Sequence, residues 1–139
     1  MSLVARSFDV NKVNEVIESL LDNDDHITAE EWLKDPTNIA LENDRGDIAL
    51  FEIGLKNIYS GHYYFKSRGR KAINAAKEFL DCIFNTCYNI EVIIGLTPIT
   101  NLPARWFSRQ VGFKSQGLVQ GPKRHYEMFI MTKREFNNG

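Results

Sequence analysis

Asn101-Leu102-Pro103-Ala104-Arg105-Trp106-Phe107-Ser108-Arg109-Gln110-Val111-Gly112-Phe113 holds a helix start, a helix face and a helix stop in one short run. Pro103 suits the first residue of a helix, where a missing N–H costs nothing. Phe107 and Val111 stand four apart and share a face that can meet the core. Ala104 is small where a helix must come close to its neighbour. Gly112 suits the position just past the helix end, because the left-handed turn there has no Cβ to strain. Immediately upstream, Ile90–Leu96 is an almost unbroken apolar run, which predicts a central buried strand.

Working outward, Phe113–Val119 and His125–Met131 flank Gln120-Gly121-Pro122-Lys123 and predict a final hairpin. Ahead of the central strand, Ile73, Ala76, Leu80, Ile83, Phe84 and Cys87 form one helical stripe, widened by Ala72 and Phe79. That helix is predicted to start after Gly69 and to fade near Asn85–Asn89. Asn38–Glu42 and Asp47–Leu55 surround the turn sequence Asn43-Asp44-Arg45-Gly46 and predict a hairpin. Lys56–Phe65 supplies a third strand, with Gly54 and Gly61 at bulges or close approaches. At the N-terminal side, Leu3–Phe8 reads as a short strand and Asp9 as an N-cap. Val10, Val13, Val16, Ile17, Leu20 and Leu21 then predict a helix over 10–22, ended by Asp22–Asp25. Thr28 and Glu31 form a capping-box pattern for a short helix through Lys34, which must stop before Pro36. The order β-α-α-β-β-β-α-β-α-β-β is that of an α/β (α+β) domain with a mixed sheet covered by helices, one domain over residues 1–139.

With 139 residues, 43% hydrophobic and 25% charged, the chain has the composition of a soluble globular domain. A formal net charge of −1 argues against a general nucleic-acid binder. No apolar run approaches the ~20 residues that cross a bilayer. Met1–Arg6 is not followed by the apolar core of a signal peptide. Cys82 and Cys87 are too few for a disulfide framework, and His26, His62 and His125 lie too far apart for a zinc motif, so no metal is expected. The two cysteines read as partly buried thiols on one helix, which suits a cytoplasmic setting.

The element order and the quoted run resemble the GNAT superfamily of acetyl-CoA-dependent N-acyltransferases. The family shows Asn, Ala three on, an apolar residue six on, and Gly-Phe at eleven and twelve; Asn101, Ala104, Phe107, Gly112 and Phe113 stand at those places. A second family motif, Gln or Arg, two residues, Gly, one residue, then Gly or Ala, is similar to Lys66-Ser67-Arg68-Gly69-Arg70-Lys71-Ala72. Gly69 matches the first glycine, Lys66 replaces the leading residue and Lys71 the second glycine. The resemblance implies a GNAT-like fold, acetyl-CoA as co-substrate and an amine acceptor. It also implies that Phe65, Lys66, Arg68, Gly69, Arg70, Lys71 and Ala72, with Asn101 and Phe107, bind the cofactor. The physics agrees that a helix N-terminus favours an anion. Lys66, Arg68, Arg70 and Lys71 gather positive charge at the helix start, where it opposes the dipole, so the cluster reads either as an anion site or as a solvated basic turn.

In GNAT enzymes a tyrosine seven residues after the motif asparagine commonly protonates the departing thiolate. Here that position is Ser108, a weaker acid that can still hydrogen-bond sulfur, and Tyr63 or Tyr64 is a neighbouring substitute. A base must take the amine proton; Glu52, Glu91 and His62 are the candidates, His62 for its natural pKa. Tyr59, Tyr63, Tyr64 and Phe65 line a cleft or belong to core and sheet. Three readings stand: an N-acyltransferase; a GNAT fold without catalysis that serves binding, self-assembly or a protein partner, similar to small GNAT-like head or virion proteins of tailed bacteriophages; and, disfavoured by the charge, a nucleic-acid module built on residues 66–71.

Overall fold

A computed structural model describes residues 3–20, 27–55 and 57–139. The end of the helix predicted over 10–22, its stop at Asp22–Asp25, and His26 and Lys56 lie outside the described residues. The elements are β1 (Ala5–Arg6), α1 (Val10–Ser19), α2 (Ala29–Lys34), β2 (Ile39–Glu42), β3 (Ile48–Leu55), β4 (Ile58–Tyr64), α3 (Arg70–Asp81), β5 (Val92–Pro98), α4 (Leu102–Val111), β6 (Lys114–Gln120), β7 (His125–Thr132) and α5 (Lys133–Asn138). Among the described residues seven strands form one sheet in the order β1-β2-β3-β4-β5-β7-β6. Every neighbouring pair is antiparallel except β4 and β5. A parallel pair needs a long crossover, and α3 provides it.

The caps are where local chemistry predicts them. Asp9 accepts from the Asn11 and Lys12 amides, and Thr28 accepts from the Glu31 amide. Gly112 closes α4 at φ 114°, in the left-handed region. The helix begins one residue earlier than the proline suggests, with Asn101 as its N-cap. The hairpin β2–β3 turns on Asn43–Asp47, and Gly54 sits where the β3–β4 register slips. A Cβ on Gly61 would lie 3.4 Å from Phe51 and Ile93, so that glycine marks a close approach.

The two faces of the sheet carry separate cores. On one, α1 and α2 bury Val13, Val16, Ile17 and Trp32 against Ala40, Ile48 and Leu50. On the other, α3 and the turn that follows it pack Phe79, Leu80, Ile83 and Phe84 with Phe51, Ile93 and Met131. Each large apolar side chain so buried contributes on the order of 1.5–3 kcal/mol before entropy is set against it.

Several expectations need correction. The strand predicted over Leu3–Phe8 shrinks to Ala5–Arg6, because Ser7 still bonds Ala40 but Asp9 already turns its side chain to cap α1. The central strand is Val92–Pro98, two residues later than the apolar run, and only Ile93 within it is fully buried. Leu96 is 50% exposed, since one flank of this strand has no neighbour there. The long helix ends in a π turn over Cys82–Thr86, where the Cys87 and Tyr88 amides both donate to the Cys82 carbonyl. The turn brings the two thiols together but leaves them in different surroundings: Cys82 is buried and Cys87 is exposed, rather than both being half-covered. Burial, then the neighbouring Cys87, pushes the Cys82 thiol up to about 12. The terminal helix α5, opened by a Thr132–Glu135 capping box, went unpredicted because its six residues show no apolar stripe.

Candidate functional site

The site follows from the one parallel pair in the sheet. β4 and β5 pair only over Ile58–Val92, Tyr59–Ile93 and Ser60–Ile94. Beyond that point β4 stays with β3 as far as Tyr64–Ile48, and β5 stays with β7 as far as Pro98–Tyr126. Each strand follows its own half-sheet, so the two separate and leave a gap. A cavity of about 410 Å³ fills it, bordered by Tyr63 and Tyr64 of β4 with Phe65 just beyond, and by Gly95, Leu96 and Thr97 of β5. A Cβ on Gly95 would meet nothing within 4 Å, so this glycine keeps the rim open.

Strand periodicity decides what faces each end of the gap, because successive side chains point to opposite sides. Tyr63 is on the α3–α4 side. Its ring lies 5.3 Å from Phe107 and 5.2 Å from Phe65. Ser108, next to Phe107 on α4, also borders the cavity. His62 takes the opposite side, where α1 ends, and Ser19 and Leu20 border the cavity with it. Burial lowers the His62 pKa below its ordinary value, against the opposing pull of the Glu52 carboxylate. Burial raises the Tyr63 phenol above its ordinary value. At neutral pH the imidazole is therefore a free base and the phenol keeps its proton, on two sides of one opening.

Glu52 accepts a 2.9 Å hydrogen bond from the Trp32 indole and stands beside His62 across the β3–β4 pair. Glu91 is brought elsewhere: its amide and carbonyl join Asn57 and Lys133 at the paired end of β4 and β5, away from the gap. Asn101 borders the cavity, while its side-chain oxygen accepts from the Ala104 amide as the α4 cap. Ala72 is turned into the core, and its amide is spent on the Gly69 carbonyl.

Just beyond Phe65 the chain enters the basic loop. Arg45, Lys66, Ser67, Arg68, Arg70 and Lys71 line an open hollow of about 580 Å³. Gly69, at φ 60°, precedes α3, and no side chain caps that helix. The loop is held from below by Asp47, which is fully buried. Its carboxylate accepts from the Lys66 and Ser67 amides at 2.7 and 2.8 Å, from the Ser67 hydroxyl at 2.7 Å and from the Asn43 amide group at 3.0 Å. Burial alone would raise the Asp47 pKa, but these bonds carry it below the ordinary carboxylate value.

Sequence reasoning missed Asp47, Arg45 and Glu127. Glu127 is buried on β7 beneath α4. It pairs with Arg105 at 2.8 Å and with Arg109, and it accepts from the Ser115 hydroxyl at 2.6 Å. Burial favours its neutral form, yet these three partners hold its pKa at about 2. Arg105 and Arg109, four apart on one helical face, were the only sequence signal for this clamp. Among the described residues no cluster of His, Cys, Asp or Glu could hold a metal ion, and no helix is long and apolar enough to cross a membrane.

No protein-family model matches the sequence, and no curated protein matches it. Solved structures do. A chimera of the spermidine N-acetyltransferase SpeG from Vibrio cholerae and hSSAT superposes with a TM-score of 0.73 at 13% identity, covering 99% of both chains. The aminoglycoside acetyltransferase AAC(6')-Ib, in complex with coenzyme A and kanamycin, gives a TM-score of 0.73 at 13% identity over 99% of this chain and 98% of that one. Mutant forms of the Vibrio cholerae spermidine/spermine N-acetyltransferase SpeG give 0.71 at 10% identity, over 99% and 98%. Likeness at such identities speaks for architecture, and the architecture of this chain is the GNAT N-acetyltransferase fold.

Proposed function

We propose that this chain is a single-domain N-acyltransferase that moves an acyl group, acetyl in the first instance, from a CoA thioester to an amine. The observation that carries the reading is the open gap between β4 and β5, with a free base on one side and a protonated phenol on the other. A gap plugged by Tyr64 or Lys71 would instead have suited a purely structural role. The similar folds named above include a spermidine N-acetyltransferase and an aminoglycoside acetyltransferase bound to coenzyme A and kanamycin, both of which are amine-directed by name.

The thioester supplies an activated acyl carbon. Gly69 and the basic residues at the start of α3 hold its phosphates, and Phe65 and Phe107 border the acyl end. The amine enters on the α1 side, where His62 accepts its proton as nitrogen attacks, and Glu52 steadies the imidazolium. Tyr63 donates a proton to the departing sulfur, with the Ser108 hydroxyl as a hydrogen-bonding neighbour. The neutral base and the protonated acid are thus poised in their reactive forms at pH 7.

Calorimetry with acetyl-CoA and CoA tests the reading first. Binding at micromolar concentrations is expected. Release of free thiol with a panel of primary amines then measures turnover. No heat at millimolar ligand sinks both the cofactor and the enzyme assignment.

A further inference from the structure

The basic hollow contains more charge than a diphosphate needs, and one of its cations comes from a part of the chain remote in sequence. Arg45 is carried by the β2–β3 turn, yet it lines the same hollow as Lys66, Arg68, Arg70 and Lys71. The placement is built rather than incidental. Asp47, at the end of that turn, grips the Lys66 and Ser67 amides, and Asn43 accepts from the Arg45 and Asp47 amides at 3.0 Å each. Gly46 packs so tightly on the Lys66 stem that a Cβ there would sit 3.2 Å from it. Hydrogen bonds and close packing join turn and loop, and so bring Arg45 to the same hollow as Lys66.

The charges leave an excess. Five cations line the hollow, and the one carboxylate beneath them, Asp47, brings the balance to +4 (five less one). Both oxygens of Asp47 are already taken. Asp44, the other acid of the turn, is exposed and does not line the hollow. A diphosphate linkage carries about −2, and a phosphate monoester adds roughly −1.5 to −2 at pH 7. The sum is close to the excess; the diphosphate alone is not. Because Asp47 consumes the amides of 66 and 67, an anion near Arg45 and Lys66 must be held by side chains, which suits a terminal, multiply charged monophosphate.

Building on the acyl-CoA reading, we infer that Arg45 and Lys66 form a second phosphate subsite, which reads the 3′-phosphate of the ligand's ribose. The chain then distinguishes CoA from 3′-dephospho-CoA, and Arg45 is the residue that sets this specificity.

Calorimetry at 0.15 M salt with CoA and with 3′-dephospho-CoA, on the full chain and on Arg45→Ala and Arg45→Glu, tests it. Arg45 is exposed, so both variants keep the fold, and circular dichroism checks that they do. The unaltered chain is expected to prefer CoA by about tenfold, the scale of one charge-assisted hydrogen-bonded pair. Arg45→Ala should abolish that preference while leaving dephospho-CoA binding unchanged, and Arg45→Glu should reverse it. Equal binding of both ligands by the unaltered chain overturns the 3′-phosphate assignment alone. A preference that survives in Arg45→Ala overturns the role of Arg45. Binding of neither ligand overturns the acyl-CoA reading and this inference with it.

Discussion

His62 and Tyr63 are adjacent in sequence and act, in the proposed reaction, on opposite sides of the sheet. Burial moves their pKa values apart, down for the imidazole and up for the phenol. For His62 the consequence for rate has a definite sign. The base works when unprotonated, so the acid limb of kcat/KM should fall below the ordinary histidine value of about 6.5. Glu52 raises the His62 pKa, so Glu52→Gln should move that limb to still lower pH, and a pH–rate profile measures it. Tyr63→Phe should lower kcat by about 10²-fold with KM nearly constant, the lower end of what general acid help supplies. Steady-state kinetics of thiol release separates the two constants. Glu127 makes a prediction about stability instead. Its folded pKa of about 2 lies below the ordinary carboxylate value, so its stabilisation is complete above that value and is lost as pH falls through about 2. Glu127→Gln should destabilise the protein by ~3 kcal/mol at pH 7, because Arg105 and Arg109 lose their shared counter-charge. Urea unfolding across pH 7 to 2 should show the variant's stability varying less with acid than the parent's.

At the scale of elements, α4 connects the fold to the site. Its start is fixed by Asn101, its end by Gly112, and its underside by Arg105 and Arg109 on Glu127. Ser108 and Phe107 reach the cavity only because these three restraints set the helix position. Asn101→Ala removes a cap worth about 1 kcal/mol. Gly112→Ala places a Cβ on a residue at φ 114°, 3.4 Å from the Met131 methyl group, and should cost about 1 kcal/mol or more. The two sites are at opposite ends of one helix, so the losses should nearly add in the double variant, as thermal unfolding will measure. The stop of this helix was legible in sequence, since Gly112 acts through its own backbone preference; its start was not, because Pro103 pointed one residue too late and the Asn101 cap depends on where its side chain turns. The length of β1 and the register of β5 were not, because they depend on which neighbour offers hydrogen bonds.

At the scale of the molecule, the site exists because two half-sheets diverge after Ser60 and Ile94. Gly95 keeps the opening clear, and its missing side chain would enter open space. Gly95→Leu should therefore fold with stability within about 1 kcal/mol of the parent, since surface-like positions tolerate change. It should also lose measurable CoA binding by calorimetry, because the leucine occupies the gap. Retention of CoA affinity in a folded Gly95→Leu protein would place the ligand outside the gap.

Sequence by itself determined the types and order of the elements as far as β7, without α5, and the stop of α4 at Gly112, because periodicity and left-handed glycines are local properties of the chain. It also singled out Ser108, His62 and Phe65, which line the cavity, and the 66–71 loop, which lines the basic hollow. Only the tertiary structure decided that β4 and β5 part company, that His62 and Tyr63 face one opening from two sides, and that Glu91 is elsewhere. It alone brought Asp47 and Arg45 to the basic loop and Glu127 under α4. These are pairings between segments far apart in sequence. They depend on how strands twist and choose neighbours, and no spacing within a single segment encodes that choice.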